Sequence, residues 1–210
     1  MSEPFRVAVL ISGEGTNLQA LLDDVHGRDG IEVAGVAASR PQVRGLERAR
    51  RAGVETAVFE LSGHADRDER DRALGDWLEE RGVQLVVLAG FMEILGPGFI
   101  RRFQGRIVNV HPSLLPSFPG IRSIEAALDH GVKLTGATVH FVDEGVDSGP
   151  IILQEALELT YPAAVDEVER RVHEIEHRLL PRAVRLIAAG AVHSDPDNPR
   201  ITRIEDEHDG

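Results

Sequence analysis

Short apolar runs alternate with longer amphipathic stretches along the first half of the chain. Unbroken apolar runs are typical of buried parallel strands, and they occur at residues 5–11, 31–38, 56–59, 83–89 and 106–110. Apolar residues at helical spacing predict helices between them, at residues 17–25, 41–52, 66–81 and 97–103. This alternation predicts an α/β fold with an open, mainly parallel, twisted sheet (Rossmann-like) and helices on both faces.

The second half of the chain brings two predicted strands close together. The pattern predicts helices at residues 123–130 and 166–189, and strands at residues 134–142 and 151–157. The short connection leaves these two last strands free to pair antiparallel. We expect one domain over residues 1–193, followed by a polar, acidic tail over residues 194–210 that is partly disordered.

Composition narrows the classes of function. The chain has 210 residues, 42% of them hydrophobic, which is enough for one sizeable core. A net charge of −12 argues against nucleic acid and anionic membranes as partners. There is no cysteine, and hence no disulfide, thiol nucleophile or zinc–thiolate site. With no secretory signal or membrane-spanning stretch predicted, we expect a cytoplasmic protein, monomer or homodimer, that acts on small molecules.

Polar side chains occur at the end of one predicted strand. Asn109 and His111 are two residues apart, so a strand points both side chains to the same face, and Pro112 then ends the strand. Ligands bind at the carboxyl ends of strands in open α/β sheets. Asp147 lies in a glycine-rich loop after a later strand. An amide, an imidazole and a carboxylate are the groups needed to stabilise an oxyanion and move a proton.

The same residues also have ordinary interpretations. Asn109 can bond the backbone at a strand end, His111 is one of nine histidines, and Asp147 can be a turn residue. Ser113 lacks the nucleophile elbow that a serine hydrolase of the G-x-S-x-G type needs. The acidic residues near Asp147 have poor metal-ligand spacing and fit a solvated turn, so we expect no metal site.

Residues 12–17 read Ser-Gly-Glu-Gly-Thr-Asn and connect the first strand to the first helix. Backbone N–H groups at the start of a helix bind phosphate, helped by the helix dipole. The alternative is a tight turn that only caps the helix. The turn is not a Walker loop, because no Gly-Lys-Ser/Thr follows it. A dinucleotide fingerprint also fits poorly, since Leu18 stands where its third glycine would be.

The loop at residues 90–95 reads Gly-Phe-Met-Glu-Ile-Leu and follows a buried strand. Apolar side chains on such a loop can wall a pocket for a flat heterocycle, while backbone groups bind its edge. The same side chains can equally fill the core beneath the loop. The pattern alone leaves both interpretations open.

Together these segments resemble the formyl-folate transferases, and among them the phosphoribosylglycinamide formyltransferases (glycinamide ribonucleotide transformylases) of purine synthesis. The resemblance covers roughly residues 5–190. The segment Asn-Val-His-Pro-Ser-Leu-Leu-Pro with a downstream Asp-Ser-Gly-Pro is typical of formyl-folate transferases, and the turn at residues 12–17 is typical of the glycinamide ribonucleotide branch. Methionyl-tRNA formyltransferases and formyltetrahydrofolate deformylases carry an additional domain, for which we expect no room here.

The resemblance implies a role for each candidate residue. The implied catalytic residues are Asn109, His111 and Asp147. The residues implied to bind the ribonucleotide are Gly15, Thr16, Asn17 and Glu176. Those implied to bind folate are Arg67, Met92, Glu93, Ile94, Leu95, Asn109, Asp143, Glu144, Gly145, Val146 and Asp147. Many relatives carry a basic residue in place of Glu93, so we expect backbone contacts rather than a side-chain contact at that position.

The implied activity is formyl transfer from 10-formyltetrahydrofolate, as co-substrate, to the glycinamide amine of N1-(5-phosphoribosyl)glycinamide. Asn109 and a protonated His111 would stabilise the oxyanion of the tetrahedral intermediate. Asp147 would orient His111 and help the proton move from the amine to folate N10. No metal and no covalent enzyme intermediate are implied. Two alternatives stay open: a 10-formyltetrahydrofolate hydrolase on the same scaffold, and a nucleotide-binding module without catalysis.

Overall fold

The computed structural model describes residues 3–205 and contains a seven-stranded sheet. Its strands are β1 (Phe5–Ile11), β2 (Ile31–Ala38), β3 (Thr56–Val58), β4 (Leu85–Leu88), β5 (Ile107–His111), β6 (Leu134–Phe141) and β7 (Ile151–Glu158). They lie in the order β3-β2-β1-β4-β5-β6-β7. The pairs from β3 to β5 are parallel, and β6 pairs antiparallel with β7. The predicted mainly parallel α/β sheet is confirmed, including its antiparallel last pair.

Six helices alternate with these strands: α1 (Thr16–Asp24), α2 (Arg44–Arg51), α3 (Arg67–Glu80), α4 (Pro97–Arg102), α5 (Ser123–His130) and α6 (Val165–Ala188). A short 3₁₀ turn at Leu61–Gly63 precedes α3. The predicted start of α2 at Pro41 is wrong. Gln42 has a φ of 60°, a left-handed conformation that a right-handed helix cannot include, so the helix starts only at Arg44.

The described chain groups into two compact units, one up to residue 109 and one from residue 110 onward. In the first unit, β1 is buried from Val7 to Ile11, α1 packs on α2, and α3 packs on α4. In the second unit, α6 packs on β6 and β7, and α5 packs on α6. The assignment of residues 1–193 to a single domain stays a prediction. None of the described helices is long and apolar enough to cross a membrane.

The segment after residue 193 contains regular structure up to residue 204, and the expectation that the tail over residues 194–210 is partly disordered stays a prediction. Strands β8 (Val192–Ser194) and β9 (Thr202–Ile204) form an antiparallel hairpin. Asp195 shapes its turn, because its Oδ1 accepts from the N–H groups of Asp197 and Asn198 at 2.9 and 3.0 Å. The remaining part of the expected tail, residues 206–210, lies outside the described residues.

Candidate active site

Strand β5 carries Asn109 and His111 to its carboxyl end. The next residue, Pro112, has no N–H with which to continue the strand. The observed strand ends at His111, one residue later than predicted. His111 is 5% exposed, and Asn109 is half-buried.

His111 lies between two hydrogen-bond acceptors. Its Nδ1 is 3.4 Å from Oδ2 of Asp147, and its Nε2 is 2.9 Å from the carbonyl oxygen of Phe118. Carboxylate and carbonyl oxygens only accept, so an imidazole that carries a proton on each nitrogen matches both partners. The structure therefore brings together His111 and Asp147, which are far apart in the sequence.

Asp147 is held in place by its backbone and by its neighbours. It has a φ of 48°, in the left-handed region, and its side chain is 14% exposed. Its Oδ2 accepts from the N–H of Gly120 at 2.7 Å, while its Oδ1 is 3.7 Å from Nε2 of His140. One carboxylate thus lies beside two imidazoles and a backbone amide, which suits a group that orients a ring and exchanges protons with it.

His140 is a site residue that the sequence analysis missed. It is 1% exposed on β6, and its Nδ1 lies 2.8 Å from the carbonyl oxygen of Phe141. Burial lowers the pKa of His140 below its ordinary value of 6.5, and the positive charge of His111 lowers it further; the Phe141 carbonyl and the Asp147 and Asp143 carboxylates act in the opposite direction. The neutral ring is therefore the favoured form. A usable signal existed, because His140 lies in the segment that carries the family resemblance.

Two positions before His140 on the same strand, Thr138 fixes the chain that follows His111. The hydroxyl of this fully buried residue donates to the carbonyl of Ser113 at 2.7 Å. It accepts from the N–H of Leu115 at 3.2 Å and from Nε2 of Gln154 at 2.9 Å. Nε2 of Gln154 also donates to the carbonyl of Leu115 at 2.8 Å, so these two side chains satisfy backbone groups of the segment after His111.

The loop between β6 and β7 is shaped by Asp143. Its Oδ1 accepts from the N–H of Gly145 at 3.0 Å and from the hydroxyl of Ser148 at 2.7 Å. A side chain at Gly149 would collide with the backbone of Phe141, so only glycine fits there. Along this loop the exposed members of the predicted folate set are Glu144, Gly145 and Val146.

In the first unit, the turn at residues 12–17 leads from β1 into α1. Gly15, the N-cap residue of α1, has a φ of 71° and has no side chain with which to cap the helix. A Cβ on Gly15 would lie 2.7 Å from Cα of Gly45, which begins the buried face of α2. Arg48 of α2 donates to the carbonyl of Glu14 at 2.9 Å. Thr16 and Asn17 form the first helical positions, where backbone N–H groups have no acceptor within the helix.

Ser12 links this turn to the loop at residues 90–96. Its hydroxyl accepts from the N–H of Met92 at 2.8 Å and lies 2.7 Å from the hydroxyl of Ser39. Its own N–H donates to the carbonyl of Gly90 at 3.1 Å. Hydrogen bonds therefore join the turn at residues 12–17 to the loop at residues 90–96, which are far apart in the sequence.

The predicted folate-binding residues of the first unit differ in how far their side chains are exposed to solvent. Met92 and Ile94 are 65% and 67% exposed, as a pocket wall requires, but Leu95 is 6% exposed and fills the core. Arg67 is exposed at the first position of α3. Glu93 is half-buried, with its carboxylate 3.9 Å from Nη1 of Arg70.

The candidate residues are divided between the two units. The first unit holds Gly15, Thr16, Asn17, Arg67, Met92, Glu93, Ile94, Leu95 and Asn109, and the second holds His111, the loop that includes Asp147, and Glu176. Glu176 is buried on α6, at 3% exposure. Among the described residues, no group of three or more histidine or acidic side chains is arranged to hold a metal ion.

Comparison with known protein families gives one clear match. The model of the family described as formyl transferase matches residues 5–184, which is most of the chain. The chain is 41% identical over 186 residues to the phosphoribosylglycinamide formyltransferase of Haemophilus influenzae, and the match covers 88% of each protein.

Longer relatives and a solved structure agree with this match. The chain is 46% identical to part of the trifunctional purine biosynthetic protein adenosine-3 of Gallus gallus; the match covers 89% of the chain but only 19% of that protein. The chain thus spans about a fifth of the trifunctional relatives that it matches. The crystal structure of glycinamide ribonucleotide transformylase 1 from Symbiobacterium toebii superposes with a TM-score of 0.93, at 45% identity, covering 98% of this chain and 96% of that one.

Proposed function

The chain belongs to the formyl transferase family, and from that premise we propose that it transfers the formyl group of 10-formyltetrahydrofolate to the amine of N1-(5-phosphoribosyl)glycinamide in purine biosynthesis. The observation that carries the proposal is the contact between His111 and Asp147, 3.4 Å apart at the end of β5. It provides the acid–base pair that the proposed proton transfer needs. The relative from Haemophilus influenzae, named for this reaction, supports the choice of substrates.

In the proposed mechanism, the amine attacks the formyl carbon, and Asn109 and protonated His111 stabilise the oxyanion. Nε2 of His111 faces the carbonyl of Phe118 at 2.9 Å, so this carbonyl must give way to the oxyanion when substrates bind. Asp147 keeps the ring oriented through Nδ1, accepts a proton from the attacking amine and passes it to folate N10. Collapse of the oxyanion then breaks the bond between the formyl carbon and N10 and releases tetrahydrofolate. His140, whose pKa is lowered by burial, is neutral and leaves the negative charge of Asp147 available to His111.

The other part of the catalysis is the positioning of two substrates. We assign the ribonucleotide phosphate to the backbone amides of Gly15, Thr16 and Asn17 at the start of α1, since N–H groups there and the helix dipole favour anions. Met92 and Ile94 expose the apolar surface that a pterin ring requires. Glu176 is assigned to the glycinamide end of the ribonucleotide.

The deciding experiment measures loss of the formyl group from 10-formyltetrahydrofolate with and without N1-(5-phosphoribosyl)glycinamide, with chromatographic identification of the products. We expect loss only when the ribonucleotide is present, with one formylated ribonucleotide formed for each tetrahydrofolate released. Formate release that does not depend on the ribonucleotide would instead identify a hydrolase. Ribonucleotide binding without turnover would identify a binding module.

A further inference from the structure

Arg70 occupies a position on α3 where an apolar residue is expected. It is 1% exposed and lies on the buried stripe of the helix with Leu74 and Leu78. Its Nε and Nη2 are each 2.7 Å from Oδ1 of Asp71, which is 4% exposed. Replacing a buried ion pair by apolar side chains is often neutral or stabilising. A buried ion pair is therefore weak evidence for a role in helix stability, and its other contacts must be considered.

Both members of the pair bind the main chain of the loop at residues 90–96. Nη2 of Arg70 donates to the carbonyl of Ile94 at 3.0 Å. Oδ2 of Asp71 accepts from the N–H of Gly96 at 2.6 Å. Together with the bond from Met92 N–H to Ser12, three polar contacts hold three backbone groups of one short loop.

The loop has little packing of its own. Met92 and Ile94 point their side chains into solvent, and Leu95 is the buried exception. Large exposed apolar side chains on a loop indicate a surface that receives a ligand. Because only Leu95 and part of Phe91 pack against the protein, the polar contacts from α3 and from Ser12 fix the rest of the loop backbone.

Arg70 also has unused hydrogen-bonding capacity toward the loop. Its Nη1 is buried and has no hydrogen-bond partner. The nearest opposite charge given by the structure for this nitrogen is the Glu93 carboxylate, at 3.9 Å. Glu93 is half-buried at 31% side-chain exposure, so it lies between the buried guanidinium and solvent. An acidic residue at position 93 therefore balances a buried cation instead of presenting a charge to a ligand.

We propose that Arg70 is a positioning residue for folate binding. Its guanidinium fixes the carbonyl of Ile94, with Asp71 holding the adjacent Gly96, so that the loop keeps Met92 and Ile94 exposed toward the pterin ring. Glu93 acts together with Arg70 and Asp71, as a counter-charge of Arg70. The inference rests on the proposed function, because it takes the loop at residues 90–96 as a folate-binding surface.

The test is the double variant Arg70→Met/Asp71→Asn. It removes both buried charges together, keeps an acceptor for the N–H of Gly96, and leaves the carbonyl of Ile94 without its donor. Because a hydrogen bond from a charged group is lost, the KM for 10-formyltetrahydrofolate should rise about 10- to 100-fold. The KM for the ribonucleotide should change by less than about twofold, and kcat should be nearly kept.

Two further variants complete the design. Arg72→Met changes an exposed arginine on the same helix and should leave both KM values unchanged. Arg70→Lys keeps the charge but loses the planar fork, so it should give an intermediate KM for folate; it also serves as the test if the double variant does not fold. Glu93→Gln should raise the folate KM in the wild-type background but not in the Arg70→Met/Asp71→Asn background.

Several results would overturn the proposal. An unchanged KM for folate would show that Arg70 has no role in folate binding. Equal rises in both KM values would show that the substitutions disturb the structure as a whole. Additive effects of Glu93→Gln would separate Glu93 from Arg70. Calorimetric binding of tetrahydrofolate to the same variants keeps the test independent of turnover. If the wild type binds tetrahydrofolate but transfers no formyl group, the proposed function fails while the role of Arg70 is still measured.

Discussion

At the scale of single residues, the site depends on how one carboxylate is shared. Asp147 lies against the N–H of Gly120 and near the rings of His111 and His140. The two rings differ in environment: His111 has an acceptor at each nitrogen, whereas burial lowers the pKa of His140. Because burial favours the neutral form of His140, the Asp147 carboxylate stays available to His111.

The first prediction tests His111 and Asp147 as a pair. His111→Ala and Asp147→Asn should each lower kcat by about 10²- to 10⁴-fold, the range of a positioned acid–base group. Because each residue needs the other, the double variant should be little worse than the poorer single variant. Steady-state kinetics of the four proteins measure this, with circular dichroism to check folding. Losses that add in free energy would show that the two residues act independently.

The second prediction concerns His140 and pH. Its pKa in the folded protein is lower than its ordinary value of 6.5, so near that pH the unfolded chain binds more protons than the folded one. The stability that His140 contributes is therefore present above pH 6.5 and is lost as pH falls through the lowered pKa. Urea unfolding between about pH 5 and 7.5 should show a shallower pH dependence for His140→Gln than for the wild type.

The control for this prediction is Val139→Ala, which changes a buried residue of β6 that does not titrate. It should leave the pH dependence of the unfolding free energy unchanged. An unaltered slope in His140→Gln would mean that the folded and unfolded states do not differ in protonation at His140.

At the scale of elements, α1 and α2 meet at a glycine contact that leaves no room for a side chain. Gly15 and Gly53 both have left-handed φ values, 71° and 74°. A Cβ on Gly15 would lie 2.7 Å from Cα of Gly45, whereas a Cβ on Gly53 would have no atom within 4 Å. Gly15→Ala and Gly53→Ala should share a backbone penalty of about 1–2 kcal/mol. The extra clash at Gly15 should also displace the turn at residues 12–17.

The third prediction follows from this pair. Gly15→Ala should raise the KM for the ribonucleotide while sparing the KM for folate, and Gly53→Ala should lower the Tm and leave both KM values unchanged. Kinetics with each substrate varied in turn provide the measurement. Equal losses for both substrates in Gly15→Ala would indicate a general disturbance of the first unit instead of loss of an anion site.

A second element-scale feature is the attachment of the C-terminal hairpin to the loop of Asp147. Arg200 donates to the carbonyl of Ser148 at 3.1 Å, and the hydroxyl of Thr202 donates to the carbonyl of Ile151. Both acceptors lie just after Asp147 in the chain. The hairpin therefore holds the outgoing side of the loop that carries the proposed proton acceptor.

The fourth prediction is that removal of residues 195–210 lowers kcat by about tenfold or more, because a small displacement of a catalytic group has a large kinetic effect. Removal of residues 206–210 alone is the matched control and should leave kcat unchanged. Arg200→Ala should reproduce part of the loss. Full activity after removal of residues 195–210, in a folded protein, would contradict the role of the hairpin.

At the scale of the whole molecule, the net charge of the chain opposes the approach of the proposed substrates. The net charge is −12, and both proposed substrates are anions. Near the turn at residues 12–17 this charge is opposed locally by Arg44, which pairs with Glu14 at 3.0 Å, and by Arg48. Contacts of a few ångströms are little screened by salt, whereas the field of distant carboxylates is screened over about 10 Å at 0.1 M salt.

The fifth prediction is that kcat/KM for the ribonucleotide rises as salt increases from about 0.01 to 0.15 M, because screening weakens the long-range repulsion. Stopped-flow or steady-state measurements over this range, at constant pH, test it. A fall in kcat/KM would show that the exposed arginines of α2 dominate the field at the entrance to the site.

The sequence by itself was sufficient to predict most strands and helices and the pair of candidate residues at the end of β5. The strands and helices appear within a few residues of their predicted bounds, because unbroken apolar runs and helical spacing are local consequences of burial. Asn109 and His111 could be recognised together, since two positions on one strand share a face. The hairpin of β8 and β9 was missed because backbone hydrogen bonds and the turn at Asp195 hold it, and these leave no apolar pattern.

Only the tertiary structure decided which distant groups meet. The contact of His111 with Asp147, the presence of His140 beside them, and the burial of Arg70 beneath the loop at residues 90–96 all join positions that no local period relates. The sequence does not show whether a histidine or an arginine is solvated or buried. The charge state and the partners of such a side chain depend on the residues that pack around it in the folded chain. The sequence therefore determined the scaffold and the candidate groups, while packing at long sequence separation determined their geometry and electrostatics.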